Sequence, residues 1–286
     1  MTVREALATA IRQLEVSVRL RESAAQDAAY LLRYTLAISQ ASLIANHDRT
    51  LTHAEQTAYN ALIARRITHE PIQYITGERE FYGLPLRVTR AVLIPRNATE
   101  HLVEAVLEEM KPRAETGETL RLIDVGTGSG AIAIALAQHL PSAQFTAVDL
   151  STEALDVAAS NAALNSVGGR IRFLESDLLS AVATEGSFDA VVSNPPYVPV
   201  GDRKTLHPEV RDFEPAGALF AGADGLDIYR RLVPQAHASL KREGLLAMEI
   251  GHGQSEAMRV LLACWKDVRF VDDLEQIPRV VLARKP

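Results

Sequence analysis

The segment SNPPYVP, Ser193 to Pro199, follows FDAVV, an apolar and β-branched run that reads as a buried strand. A strand that delivers an asparagine, two prolines and a tyrosine at its C-terminal end offers groups suited to a ligand. The Asn194 side-chain oxygen is an acceptor. A proline carbonyl is a second acceptor, and the neighbouring ring stiffens its direction. Two fixed acceptors match the two N–H bonds of a planar –NH2 group. The ring of Tyr197 can pack on a flat conjugated group or hold a nearby cation. Asn194, Pro195, Pro196 and Tyr197 therefore read as a clamp for a planar amine or amide nitrogen, with Asn194, Pro195 and Tyr197 as the catalytic candidates. The plainer alternative is a rigid Pro-Pro turn that ends a strand.

A second constellation lies upstream. LIDVGTGSGAIAIALA is a strand, a glycine turn and a helix in that order, with Gly126, Gly128 and Gly130 in the turn. Glycine permits positive φ and a close approach of ligand to backbone, and the helix start behind it leaves free N–H groups. The spacing is G-x-G-x-G. It is not the dinucleotide G-x-G-x-x-G, and no Lys-Ser/Thr follows to make a phosphate loop. Asp149 closes the next strand, in AVDLS, where an acid can accept from ribose hydroxyls. A Gly-rich corner without a ligand is the alternative. Turn and acid together point to a nucleoside-bearing cofactor, and the spacing is similar to that of S-adenosylmethionine-dependent methyltransferases. A neutral nitrogen would attack a cationic methyl sulfonium in line. Acceptors on both N–H bonds would orient it and favour the charge it gains. No His-carboxylate pair is required. His207 and His252 read as surface histidines, and no His/Cys cluster suggests a metal.

The elements that must position these residues are legible from pattern. From residue 119 onward strands alternate with helices: LRLIDVG, QFTAVDL, IRFLES, FDAVVSN, GLLAMEIG, VRFVDDL and RVVLARK are the strands. Alternation of this kind predicts an α/β fold, a doubly wound, mostly parallel sheet of Rossmann-like type. Ligands of such sheets bind beyond the strands' C-terminal ends near the switch point, which would bring the glycine turn, Asp149 and NPPY to one crevice. Before this come residues 1–75, read as a helical domain, with a capping box at Thr52 and Glu55. Residues 76–96 read as a β-hairpin linker, with LPLRVT and AVLIP as its strands. Residues 97–286 form the sheet domain, opened by a helix with Asn97 as N-cap.

Bulk properties bound the partners. The chain has 286 residues, a formal net charge of −6 and one cysteine, Cys264. One cysteine leaves no internal disulfide and fits a reducing, cytoplasmic setting. No apolar run reaches membrane-spanning length. Residues 1–80 hold nine Lys/Arg and nine Asp/Glu, so the helical domain is no basic arm, and no direct nucleic-acid partner is expected.

Across residues 70–285 the blocks PIQYITGEREFYGL, VLIPR..TE, DVGTGSGAIAIALA, SNPPYVP, FEPAGALFAGADGLDIYRRL, EIGHGQ and RVVLARK resemble the HemK-type release-factor glutamine N5-methyltransferases. The resemblance implies a class I methyltransferase domain that methylates the side-chain amide of the glutamine in the Gly-Gly-Gln motif of peptide-chain release factors, modulating translation termination, with S-adenosylmethionine as methyl donor. It implies that Gly126, Thr127, Gly128, Ser129 and Gly130 line the cofactor and that Asp149 holds its ribose. Leu178 would lie against the adenine, Asn194 through Tyr197 would bind the substrate glutamine, and Asn194 would also sit near the methionine part of the cofactor. A monomer is expected, with the helical domain recognising the protein substrate. Two positions depart from the family pattern. Asn97 and Ala98 stand where P-R-P-x-T-E has its second proline and the residue after it, and Glu243 stands where a glycine is common. Glutamine methylation of a ribosomal protein, adenine-N6 methylation of DNA and a non-catalytic binding module are the alternatives.

Overall fold

Residues 1–77 are helical: α1 (Val3–Glu15), α2 (Ala24–Leu36), α3 (Gln40–Ala45), α4 (His53–Ile67) and α5 (Ile72–Thr76). Thr2 with Glu5 and Thr52 with Glu55 form reciprocal capping boxes at α1 and α4, satisfying N–H groups a helix start leaves unpaired. The apolar faces meet in a core containing Leu14, Leu31, Leu32, Tyr59 and Ile63. Buried Arg66 joins Asp27 at 2.7 Å and Glu209 at 2.6 Å. Glu209 belongs to residues 207–213, which pack with residues 1–77 as one of the two units of this computed structural model. There His207, half-buried rather than a free surface histidine, stands edge-on to His69. All residues from 1 to 286 are described.

The other unit comprises residues 78–206 and 214–286. It starts with β1 (Glu78–Phe81) and β2 (Leu84–Arg87), an antiparallel hairpin. Its strands differ from expectation. LPLR is one of them, but its partner is EREF rather than AVLIP. Tyr82 and Gly83, both with positive φ (52° and 73°), make the two-residue turn, the backbone shape tight hairpins need. The AVLIP segment instead turns, with the Val92 N–H bonding the Thr89 carbonyl, and Pro95 has no N–H for a ladder. Asn97 also differs. It precedes α6 (Ala98–Glu115) but makes no side-chain capping bond. Its Oδ1 accepts from Arg79 instead, and Glu100 accepts from the Tyr82 N–H at 2.8 Å. The start of α6 is thereby stitched to the hairpin.

The remaining elements are β3 (Arg121–Val125), α7 (Ala131–His139), β4 (Gln144–Asp149), α8 (Thr152–Leu164), β5 (Ile171–Glu175), β6 (Phe188–Ser193), α9 (Pro208–Phe213, part of the helical unit), α10 (Asp227–Ser239), β7 (Leu240–Glu249), α11 (Ser255–Leu261), β8 (Lys266–Asp272) and β9 (Pro278–Arg284). All seven expected strands join one sheet in the order β5-β4-β3-β6-β7-β9-β8. β3 to β7 pair in parallel, and β9 runs antiparallel between β7 and β8. Every residue of β6 is buried, as expected for a central parallel strand covered on both faces. The period of two distributes its side chains: Ala190 and Val192 enter the core with α6 and α7, and Val191 enters the core with α10 and α11. Winding reverses between β3 and β6, which are neighbours. Glu243 takes φ 62°, a left-handed conformation that costs a non-glycine residue about 1–2 kcal/mol.

Candidate functional site

The C-terminal ends of β3 and β6 meet at the switch point. Val125 pairs with Ser193, and the Ser193 hydroxyl donates to the Val125 carbonyl at 2.7 Å. The glycine turn and NPPY thus leave the sheet side by side. Between them opens a cavity of about 560 Å³, every lining residue of which belongs to the sheet-containing unit. Gly126, Thr127, Gly128 and Ser129 line one side with Asp149 and Leu178, and Asn194, Pro195 and Pro196 line the other. Gly130 and Tyr197 do not line it.

The glycine turn is built from backbone. Gly126 and Gly128 have φ of 71° and 55°, and a Cβ added to either would point into open space. Gly130 differs: a Cβ there would come within 3.0 Å of Ile134 and 3.1 Å of Ala158. It serves the packing of α7 against α8. The turn is held from below by Asp124, whose Oδ2 accepts from the Thr127 hydroxyl at 2.7 Å and the Ala133 N–H at 3.2 Å. Its Oδ1 is buried without a hydrogen-bond partner, and burial pushes the carboxyl up to about 7. Asp149 holds the turn from the side, accepting from the Gly128 N–H and the Ser151 N–H, each at 2.9 Å. Asn161 of α8 is fully buried and ties the turn to the hairpin: its Nδ2 donates to the carbonyls of Ser129 and Arg87, and its Oδ1 accepts from the Arg87 N–H. Leu178 sits at φ 53°, a strained corner just beyond β5.

The opposite side is built from side chains. Asn194 Nδ2 donates to Thr99 Oγ1 at 3.0 Å, and the Thr99 hydroxyl lies 2.6 Å from Glu249 Oε2. The Tyr197 hydroxyl reaches the other Glu249 oxygen at 3.4 Å. Burial raises the Glu249 carboxyl above the ordinary range, against the opposing pull of Thr99, Tyr197, Arg279 and Arg96. Burial likewise pushes the Tyr197 phenol up to about 12. The carbonyl of Tyr197 accepts from Gln254 Nε2 at 3.1 Å, so the tyrosine is fixed at both ends.

Sequence reasoning did not find Thr99, Glu249, Asp124 or Asn161. The signal for two of them was present: Asp124 in LIDVG and Glu249 in LAMEIG are single carboxylates in otherwise apolar strands, and a buried acid of that kind needs a partner or a task.

The chain matches two family models, the PrmC N-terminal domain over residues 5–77 and the methyltransferase small domain over residues 97–208. It is 45% identical over 286 residues to a release factor glutamine methyltransferase of Koribacter versatilis, covering 100% of this chain and 99% of that protein. A protein of the same name from Bradyrhizobium diazoefficiens is 40% identical, over 99% of this chain and 94% of its own length. Among solved structures, the hMettl16 catalytic domain bound to an RNA hairpin superposes with a TM-score of 0.57 at 17% identity, over 91% of each chain. A T. Thermophilus 16S rRNA methyltransferase in complex with AdoMet and guanosine gives 0.54 at 20% identity, over 73% of this chain and 50% of that one. At such identities these two structures speak for the methyltransferase fold alone.

Proposed function

The chain belongs to the release factor glutamine methyltransferases, and from that premise we propose how its residues methylate the side-chain amide nitrogen of a release-factor glutamine, within the factor's Gly-Gly-Gln motif. The observation that carries the reading is the single cavity at the switch point, lined on one side by the glycine turn and Asp149 and on the other by Asn194, Pro195 and Pro196.

The residues present fit S-adenosylmethionine, the cofactor of this enzyme. Gly126 and Gly128 leave open space where side chains would stand, and two carboxylates, Asp124 and Asp149, lie at the turn. When bound, the cofactor supplies a methyl group on a cationic sulfur. Asp149 accepts from the ribose hydroxyls with the lone pairs its two backbone bonds leave over. Leu178 gives the adenine an apolar wall.

On the other side the Asn194 amide nitrogen is committed to Thr99, which leaves its Oδ1 to accept. The carbonyl of Pro195 is the second acceptor. Together they hold both N–H bonds of the glutamine amide and turn its nitrogen toward the methyl donor. An amide nitrogen is a weak nucleophile because its lone pair is conjugated with the carbonyl. Preorganised acceptors orient it and stabilise the positive charge it develops, and a proton leaves after transfer. Tyr197 works from behind the cavity, anchored by Glu249 and Gln254, to keep the Pro-Pro segment in place.

No cavity-lining residue comes from residues 1–77. We assign that unit to recognition of the release factor outside Gly-Gly-Gln, in a monomeric enzyme working in the cytoplasm without direct nucleic-acid contact. No helix is long and apolar enough to cross a membrane.

The test is reaction of the protein with methyl-labelled cofactor and purified release factors, followed by peptide mass spectrometry. One methyl on the side-chain nitrogen of the Gly-Gly-Gln glutamine is expected. A label on another residue type, or on adenine in added DNA, overturns the reading.

A further inference from the structure

The two ends of an asparagine amide have nearly the same shape, so packing alone does not decide which end faces the cavity. Hydrogen-bond polarity decides it. In this protein the decision passes through two buried groups. Thr99, in the first turn of α6, is 4% exposed, and Glu249, the last residue of β7, is 2% exposed. A threonine hydroxyl has one proton. At 2.6 Å from a carboxylate oxygen, that proton is donated to Glu249, which as an anion can only accept. The lone pairs of Thr99 Oγ1 are then left to accept, and what they accept is the Asn194 –NH2 at 3.0 Å. Asn194 is therefore held with its oxygen free.

We propose that Thr99 and Glu249 are positioning residues, a buried relay that sets the polarity of the Asn194 amide so that the clamp presents an acceptor to its substrate. The proposal rests on the reading above, in which Asn194 Oδ1 grips the target –NH2.

The relay has two states. With Glu249 protonated, its own O–H donates to Thr99, the Thr99 proton is released toward Asn194, and the favoured partner becomes Asn194 Oδ1. The amide turns over and presents –NH2 to another –NH2, two donors facing each other. The groups around Glu249 are the hydroxyls of Thr99 and Tyr197, the cations Arg96 and Arg279, and Tyr229, whose hydroxyl donates to the Glu249 backbone carbonyl at 2.9 Å. Each cation has a nearer carboxylate, Arg96 pairing with Glu214 at 2.5 Å and Arg279 with Asp273 at 2.9 Å. Neither is hydrogen-bonded to Glu249, and burial holds its carboxyl above the ordinary range. The acceptor state is present above that raised pKa and is lost as pH falls through it.

The test compares steady-state kinetics of wild type, Thr99→Val, Thr99→Ser and Glu249→Gln on an intact release factor. Urea midpoints identify the variants that fold. Thr99→Val keeps the shape and loses the hydroxyl, whereas Glu249→Gln keeps the size and can donate to Thr99 at every pH. Both should lower kcat by up to about 10²-fold, the scale on which a small misplacement of a reacting group acts, with KM for the release factor nearly unchanged. Thr99→Ser should restore kcat to near the wild-type value. Wild-type kcat should fall on acidification, and Glu249→Gln should show a low, flat profile. Wild-type kcat in a folded Thr99→Val overturns the relay, as does a loss in Thr99→Ser equal to that in Thr99→Val. If Glu249→Gln does not fold, the two threonine variants and the wild-type pH profile decide alone. Absence of glutamine methylation by the wild-type protein would instead count against the function itself.

Discussion

The two sides of the cavity solve the same problem with different materials. The β3 side is backbone: a glycine turn whose open space forms the surface, its N–H groups at Gly126, Thr127, Gly128 and Gly130 taken up by the Val148 carbonyl, Asp149 and the Thr127 carbonyl, with Asp124 holding it from below through Thr127 and the Ala133 N–H. The β6 side is side chains: Asn194, Thr99 and Glu249 in series. A backbone surface has a fixed polarity, since an N–H always donates. A side-chain amide has no such constraint and needs a further group to orient it. The first kind of surface suits a ligand held by shape and a few fixed acceptors. The second suits a reacting group whose hydrogen-bond polarity must be specified, and it brings a dependence on a distant proton.

Substitutions that strike one side and spare the other would sharpen this contrast. The largest effect should follow Asn194→Ala, which removes one of the two proposed acceptors. Loss of one preorganised group of this type costs about 10²–10³ in kcat, and the variant should unfold at nearly the wild-type urea concentration. Near-wild-type turnover would mean that backbone alone carries the β6 side as well. Asp149→Ala comes next. It should weaken cofactor binding by about 1–3 kcal/mol, the scale of hydrogen bonds to an ionised group, as read by calorimetry, with kcat at saturating cofactor much less affected. A kcat loss as large as that of Asn194→Ala would erase the division of labour. The smallest effect should follow Tyr197→Phe. Its hydroxyl sits 3.4 Å from Glu249, at the long limit of a hydrogen bond, so kcat should change by less than about fivefold while Tyr197→Ala, which removes the packed ring, should be severe.

The β3 side was the more legible in the sequence, and the reason is physical. A turn that needs positive φ at Gly126, Gly128 and Gly130 writes itself as glycine, and a parallel strand writes itself as an apolar run, so the turn and all seven strands could be read directly. The β6 side was legible only in its first layer. NPPY announced itself, but Thr99 is 95 residues from Asn194 and 150 from Glu249, and one sequence carries no sign of that pairing. The same distance hid Asn161, which joins the turn to a hairpin 74 residues earlier. The hairpin was misread because EREF shows one apolar residue in four, too little alternation to mark a strand. Gly130 shares the spacing of Gly126 and Gly128, but a Cβ there would meet Ile134 and Ala158, a packing role that the spacing does not reveal.

The placement of β9 has a consequence for synthesis. The sheet order puts this strand, the latest one made, between β7 and β8, so β8 leaves the ribosome before its only neighbour in the sheet exists. Until residues 278–284 have emerged, β7 keeps one row of backbone N–H and C=O groups unpaired and β8 keeps both, the kind of exposed strand edge that invites pairing with another chain. The Asn194 end of β6 and the Glu249 end of β7 are translated earlier, yet the sheet that holds them in register stays open until this closing strand slots in. A nascent chain stalled before Pro278 would therefore carry every residue of the cavity and still lack a finished edge to hold it.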